Sequence, residues 1–227
     1  MKNKIVKNIG ALPYIFHSIF FNFKYLPFKQ AIHLPILLFK PRFHTLKGSV
    51  IIQGGVKFGM IKLGIHGVSI YPSNGVMIQN CGKIIFNGQC HIGSGARLAV
   101  GKDAILEFGS RFSSTAELRI VCSNKISFGN NVLIGWECLF MDTNFHTMIN
   151  VENNSPYGKV SSPIKVGDNC WFAFRNTIMP GSIIPCGCVV ASNSLVNKDF
   201  SSSPYSLLAG LPAKIKKEGV TKDPNSK

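Results

Sequence analysis

The sequence predicts a β-solenoid of short parallel strands, and three observations point to it. Apolar residues recur at every sixth position, a compact residue holds a fixed place between them, and the later rhythm breaks at one segment. From Val166 the hexads read VGDNCW, FAFRNT, IMPGSI, IPCGCV and VASNSL, and Val196 opens the next. The fifth place of each is compact: Cys170, Asn176, Ser182, Cys188 and Ser194. Upstream, Phe128, Ile134 and Phe140 keep the same count, as do VGKDAI, LEFGSR, FSSTAE and LRIVCS from Val100. A period of six fits neither a helix nor a strand that alternates between two faces. It fits a coil of flat strand faces and tight turns, with one apolar side chain per hexad pointing inward and Gly, Asn and Asp serving the turns.

Taken in order, residues 1–47 are the first element. They carry nine aromatics among lysines, and Pro13, Pro27, Pro35 and Pro41 break any long helix. Short amphipathic helices are expected within 3–23 and 28–39. Such a segment can cap the open end of a solenoid, whose edge strand would otherwise be exposed. It can also rest on an anionic membrane, aromatics in the interface and lysines near head groups. The start resembles a signal peptide, but Pro13, His17 and Asn22 interrupt its apolar run and no small-x-small cleavage site follows. The run AIHLPILLF is far shorter than a membrane span. Residues 48–200 form the solenoid, although 48–91 keep glycines and apolar residues without a clean register. Residues 201–227 are a C-terminal segment and tail.

The totals narrow the partners. A chain of 227 residues holds one large domain with an appendage. Its net charge is +15, and thirteen lysines and arginines precede the first acidic residue, Asp103. A basic face can meet nucleic acid, anionic lipid or an acidic substrate. With no recognisable nucleic-acid module, no nucleic-acid partner is expected. The seven cysteines show no paired CxxC spacing, and several fill the small place of a hexad. They read as reduced, buried fillers, which favours the cytoplasm, with the inner face of the membrane as a peripheral site.

Three segments carry a family resemblance. NCWFAFRNTIMPGSIIPCGCVVASNSLV (169–196), PYSLLAGLPAKIKK (204–217) and MDTNFH (141–146) occur in the order and spacing of the hexapeptide-repeat acyltransferases. The chain is most similar to their maltose/galactoside and capsular-sugar O-acetyltransferase branch, over roughly 48–217. The resemblance implies a left-handed parallel β-helix, a homotrimer with sites at subunit interfaces, acetyl-CoA as acyl donor, and a sugar or glycan acceptor. The sequence departs from the family at Phe172-Ala173 and at Ser192-Asn193, and has Ser114 or Thr115 where maltose-type enzymes place an asparagine.

Acyl transfer to a hydroxyl needs a base for the hydroxyl proton, and neutral histidine suits this with its ordinary pKa near roughly 6.5. His146 stands where the hexads stop, just before the loop 147–163, and is the candidate base. Asp142 and Asn144 precede it at steps of two, so an extended segment would turn all three to one side. Either could orient the imidazole, with Asp142 favoured for that role or serving only as a turn former. Trp136 and Glu137 are candidates for the acceptor pocket. By resemblance, Ala173, Ser192 and Asn193 would meet pantetheine, and Lys198, Lys214, Lys216 and Lys217 would meet CoA phosphates. A zinc site of the γ-carbonic anhydrase type would need three converging histidines. His66, His91 and His146 show no such spacing, and no metal is expected.

The expected activity is acetyl-CoA-dependent O-acetylation of a sugar or surface-polysaccharide precursor by direct transfer, without an acyl-enzyme. Alternatives are N-acylation or small-molecule acetylation on the same fold, or a scaffold that kept the hexads and lost the chemistry.

Overall fold

The computed structural model describes residues 11–223; expectations for residues 1–10 and 224–227 lie outside the described residues. The solenoid strands pair in parallel from coil to coil and form three sheets of nine, seven and six strands, the largest ending in an antiparallel strand. They make a left-handed parallel β-helix. Phe172 pairs with Val190 and Val190 with Leu208, eighteen residues apart each time, so three hexads make one coil. Earlier coils are longer. Val50 pairs with Ile84 and Ile61 with Cys90, steps of thirty-four and twenty-nine residues, and Phe86 pairs with Phe108 and Phe108 with Phe128, steps of twenty-two and twenty. The extra residues break the count in sixes and explain why 48–91 has no clean register.

The hexad positions form the core. Ile134, Phe140, Phe172, Ile178 and Val190 are fully buried, and the compact fifth-place residues are buried with them. Where that residue is polar, its hydrogen bonds are made locally. Asn176 donates to the Val190 carbonyl at 3.3 Å and accepts from the Ser194 amide at 3.0 Å, so burial leaves no orphaned group there. Phe86, Phe108 and Phe128 stack along one sheet at 5.4 and 5.6 Å between ring centres. Phe140 meets Phe128 edge-on at 4.9 Å and Phe172 meets Phe140 edge-on at 5.2 Å. Each ring contributes on the order of 1.5–3 kcal/mol through burial.

The corners are as regular as the strands. Glu117, Glu137, Arg175 and Asn193, on successive coils, all take left-handed backbone angles with φ from 53° to 58°. Glu137 donates its amide to Ala116, Arg175 to Trp136 and Asn193 to Phe174, so each corner hangs on the previous one. Asn tolerates this conformation readily; Glu and Arg adopt it because the coil imposes it.

At the N-terminal end, a 3-10 turn at Leu12–Tyr14 leads into α1 (Ile15–Tyr25), followed by the single turn α2 (Phe28–Ala31). The helix expected over 28–39 stops at Ala31. Leu34 has φ +44° and precedes Pro35, which cannot continue a helix, and Ile36–Leu38 is a strand with every residue buried. Strands Ile36–Leu38 and Pro41–Leu46 already pair in parallel with Ile61–Ile65 and Val76–Asn80, so the coils begin well before residue 48. A run of buried apolar residues looks alike in a helix and in a doubly covered strand. At the other end, Ser206–Gly210 and Ala213–Glu218 form an antiparallel pair around a cis Leu211–Pro212 bond.

Candidate functional site

The loop that interrupts the hexads leaves the solenoid after strand Leu139–Met141, where the second sheet turns toward the third. It returns at strand Ile164–Val166. It has structure of its own. Thr143 bridges Ser161, and Met148–Ile149 pairs antiparallel with Pro156–Tyr157. The Asn144 amide donates to the Val160 carbonyl at 2.7 Å, and Ser162 donates to Asp142 at 3.0 Å, closing the base of the loop. Phe145, Met148, Ile149, Val151 and Tyr157 are exposed along it.

The expected alternation of Asp142, Asn144 and His146 is not what the chain does. Phe145 takes φ +59° and the His146 amide donates to the Asn144 carbonyl at 2.7 Å, so the segment turns tightly rather than extending. Asp142 is completely buried, while Asn144 and His146 are exposed. The Asp142 carboxylate accepts the amides of Ser123 at 2.6 Å and Asn124 at 2.9 Å on the preceding coil. Each oxygen thus accepts from a backbone turn, and no hydrogen bond joins Asp142 to His146 among the described residues. It anchors the point where the loop departs. The His146 imidazole makes no side-chain hydrogen bond among the described residues.

Beside this corner lies a groove of about 560 Å³ lined by Asn144, Lys159, Ser162, Met179, Pro180, Leu195 and Asn197. Of these, only Asn144 was singled out in the sequence. Met179 and Asn197 sit one coil apart at equivalent places, so counting coils could have found them; Lys159 lies in the loop, where no register exists. Lys198 follows at the same corner, with its ammonium 4.9 Å from the centre of the Phe200 ring.

The remaining candidates gather elsewhere. Trp136, Glu137, Ala173, Ser192 and Asn193 lie at the corner between the first and second sheets, separated from the loop corner by the flat face of the second sheet. From Arg175 to Met179 that face spans roughly 13 Å. Ser192 accepts the Phe174 amide through its hydroxyl at 3.3 Å. Ala173 is half-buried, and its carbonyl packs so closely on Gly135 that an added Cβ there would lie 2.6 Å away. Lys214 and Lys217 are exposed on the last strand, paired with Ala209 and Leu207.

Glu137 is the centre of a network that the sequence did not disclose. Its carboxylate accepts from the Tyr71 hydroxyl at 2.7 Å and from Arg175 Nε at 2.8 Å. The Arg175 contact, then the Tyr71 bond, holds its carboxyl below the usual range. Tyr71 is pushed up to about 12, by burial first and then by donating to Glu137. The Tyr71 ring stacks on Trp136 at 6.4 Å and 24°, and Trp136 Nε1 is buried with no hydrogen-bond partner. Arg175 sits one coil beyond Glu137 and was therefore legible in the repeat. Tyr71 comes from an irregular segment and was not.

The thiols are poorly suited to nucleophilic work. Burial pushes Cys138 up to about 11 and Cys170 up to about 12. Burial, followed by the charge of Asp142, pushes Cys122 up to about 12. All seven cysteines are free; Cys81 and Cys186 are half-buried rather than buried fillers. Among the described residues no three His, Cys, Asp or Glu side chains lie close enough to hold a metal ion.

No family model matches the sequence. An acetyltransferase-named protein of Staphylococcus aureus, SAV2555, is 36% identical over 109 residues, covering 40% of this chain and 53% of its own length. WbbJ of Escherichia coli, named for lipopolysaccharide-biosynthesis O-acetyl transfer, is 27% identical over 148 residues, covering 62% of this chain and 74% of its own. Among solved structures, the polysialic-acid-specific acetyltransferase NeuO aligns with TM-score 0.63 at 18% identity over 82% of this chain and 73% of its own. The chain spans about half the length of the first curated relatives it matches. In fold this chain is a hexapeptide-repeat left-handed β-helix like that acetyltransferase, and in sequence it is similar to proteins named as acetyltransferases.

Proposed function

We propose that the protein is an acetyl-CoA-dependent O-acetyltransferase acting on a hydroxyl of a sugar or surface-polysaccharide precursor. The observation that carries this reading is the exposed His146 on a hairpin-bearing loop that interrupts an otherwise regular solenoid, beside a groove. The names of the relatives, polysaccharide O-acetylation among them, support it. His146 takes the acceptor hydroxyl proton as the oxygen attacks the thioester carbonyl. The tetrahedral oxyanion then collapses, the carbon–sulfur bond breaks, and the proton passes to the leaving thiolate. No acyl-enzyme is required, in keeping with the raised thiols.

The two-corner arrangement supports a homotrimer in which one copy completes the site of another. The corner bearing Trp136, Glu137, Ala173, Ser192 and Asn193 then faces the His146 loop of its neighbour. Trp136 and Glu137 bind the acceptor, Ala173, Ser192 and Asn193 lie along pantetheine, and Lys198, Lys214 and Lys217 meet the CoA phosphates. The exposed apolar residues of the loop give such a contact its buried surface. Asn144 lines the acceptor side beside His146. The same proposal puts the trimer on the cytoplasmic side.

The test is acetyl-CoA turnover, read as free thiol against a panel of sugar acceptors, for the wild type and His146→Ala. Acceptor-dependent release that falls by about two to four orders of magnitude in the variant is expected. Unchanged turnover in His146→Ala removes the mechanism, and absence of CoA binding by the wild type favours a scaffold.

A further inference from the structure

Helix α1 carries its residues the opposite way round from a helix that packs on a protein in water. Ser18 and Asn22 face the solenoid and are completely buried, with Phe21 beside them. Phe16, Ile19, Phe20 and Phe23, spaced by three and four residues, share the other face and remain exposed, from 36% at Ile19 to 79% at Phe16. Phe28 and Ile32 extend the apolar surface beyond the helix, 71% and 51% exposed. Lone exposed apolar residues are ordinary, but a continuous stripe on one element marks a contact.

The charge around the stripe selects the partner. Lys24 and Lys29 lie on α1 and α2, exposed, and Lys40, Arg42 and Lys47 follow on the first coil. No carboxylate side chain occurs anywhere before Asp103. A second copy of this face would bring like charges together, and residues 1–10 add three more lysines and no acid. An aromatic stripe flanked only by cations fits a surface that is apolar below and anionic above. No helix among the described residues is long and apolar enough to cross a membrane, so the contact lies in the plane of the interface.

We infer that α1 and α2 dock the solenoid end-on to an anionic lipid bilayer, with Phe16, Phe20, Phe23 and Phe28 entering the head-group boundary and Lys24 and Lys29 meeting lipid phosphates. The inference is independent of the acetyl-transfer reading and stands or falls separately. The experiment is co-sedimentation of the full-length protein with phosphatidylcholine vesicles, with and without phosphatidylglycerol. Binding is expected to be at least about tenfold tighter to the anionic vesicles and to weaken with salt. Phe16→Ser/Phe20→Ser/Phe23→Ser removes it while the thermal transition persists, and Lys24→Gln/Lys29→Gln weakens it without touching the apolar face. Equal binding to neutral and anionic vesicles, or undiminished binding by both variants, overturns the inference. A fall in oligomeric mass by light scattering in the phenylalanine variant, with no effect on vesicle binding, also overturns it and gives the stripe to a second copy.

Discussion

Asn22 and Ile36 are joined by two hydrogen bonds: the Asn22 Nδ2 donates to the Ile36 carbonyl at 2.7 Å, and the Ile36 amide donates to Asn22 Oδ1 at 3.1 Å. Two residues on, the Leu38 amide donates to Ser18 Oγ at 2.9 Å. A helix side chain thus does for the first strand of the largest sheet what a further coil would do. Left open, that edge would present unpaired backbone groups to any other strand. Capping here is a matter of particular hydrogen bonds as well as apolar cover.

Asn22→Ala therefore leaves a buried amide and a buried carbonyl without partners. A loss of about 2–4 kcal/mol in folding stability is expected, read by chemical denaturation. Ser18→Ala removes the bond from the Leu38 amide and the 3.3 Å bond that the Ser18 hydroxyl donates to the Tyr14 carbonyl, and should lose about 1–2 kcal/mol. A loss below about 0.5 kcal/mol in Asn22→Ala would show that the edge is satisfied in another way.

Asp142 anchors the loop through the amides of Ser123 and Asn124. Asp142→Ala should destabilise the protein by about 3 kcal/mol, and Asp142→Asn, which retains one acceptor oxygen, by less. Because the carboxylate is committed to the backbone, the pH midpoint of thiol release in Asp142→Asn should stay where it is in the wild type. A shifted midpoint with unchanged stability would return Asp142 to the role of imidazole orienter.

The raised thiols should be slow to react. With iodoacetamide at mildly alkaline pH, half-buried Cys81 and Cys186 should be alkylated before Cys138 and Cys170, whose pKa values stand at about 11 and 12. Peptide mass spectrometry over time gives the order. Early labelling of Cys138 would reopen a covalent mechanism.

Tyrosine ionisation gives a pH test of the Glu137 network. Tyr25, by burial, and Tyr71, by burial and its bond to Glu137, are both pushed up to about 12 from an ordinary 10. The folded state holds these protons longer than the unfolded chain does. Their stabilisation is complete below pH 10 and is lost as pH rises toward 12. Absorbance at phenolate wavelengths should show two of the five tyrosines titrating late, and Tyr71→Phe should remove one of them. Loss of neither late transition in Tyr71→Phe would place the hydroxyl outside the network.

Much of the solenoid is legible because its coils repeat. Each hexad must bury one apolar side chain and fit a compact residue near a corner, so Phe172, Val190 and Cys188 announce their places without any knowledge of the fold. The loop 147–163 is visible for the same reason, as is the histidine standing just before it, at His146. Legibility fails where the repeat does. The expectation of a helix within 28–39 fails at Ile36–Leu38, which is apolar throughout, because a strand covered on both faces has no alternation to show.

The sequence by itself determined the period, the inward positions, the place of the interruption and the basic, acid-free first hundred residues. These are local quantities, set by the spacing of side chains along one chain. Only the tertiary structure decided that Asp142 binds a turn on the previous coil, that Tyr71 and Arg175 meet on Glu137, and that α1 turns Ser18 and Asn22 inward and its phenylalanines outward. The physical reason is common to all three. Each is a hydrogen bond or a burial between residues brought together by the winding of the coils, and the choice among partners is made by geometry that exists only once the coils have closed.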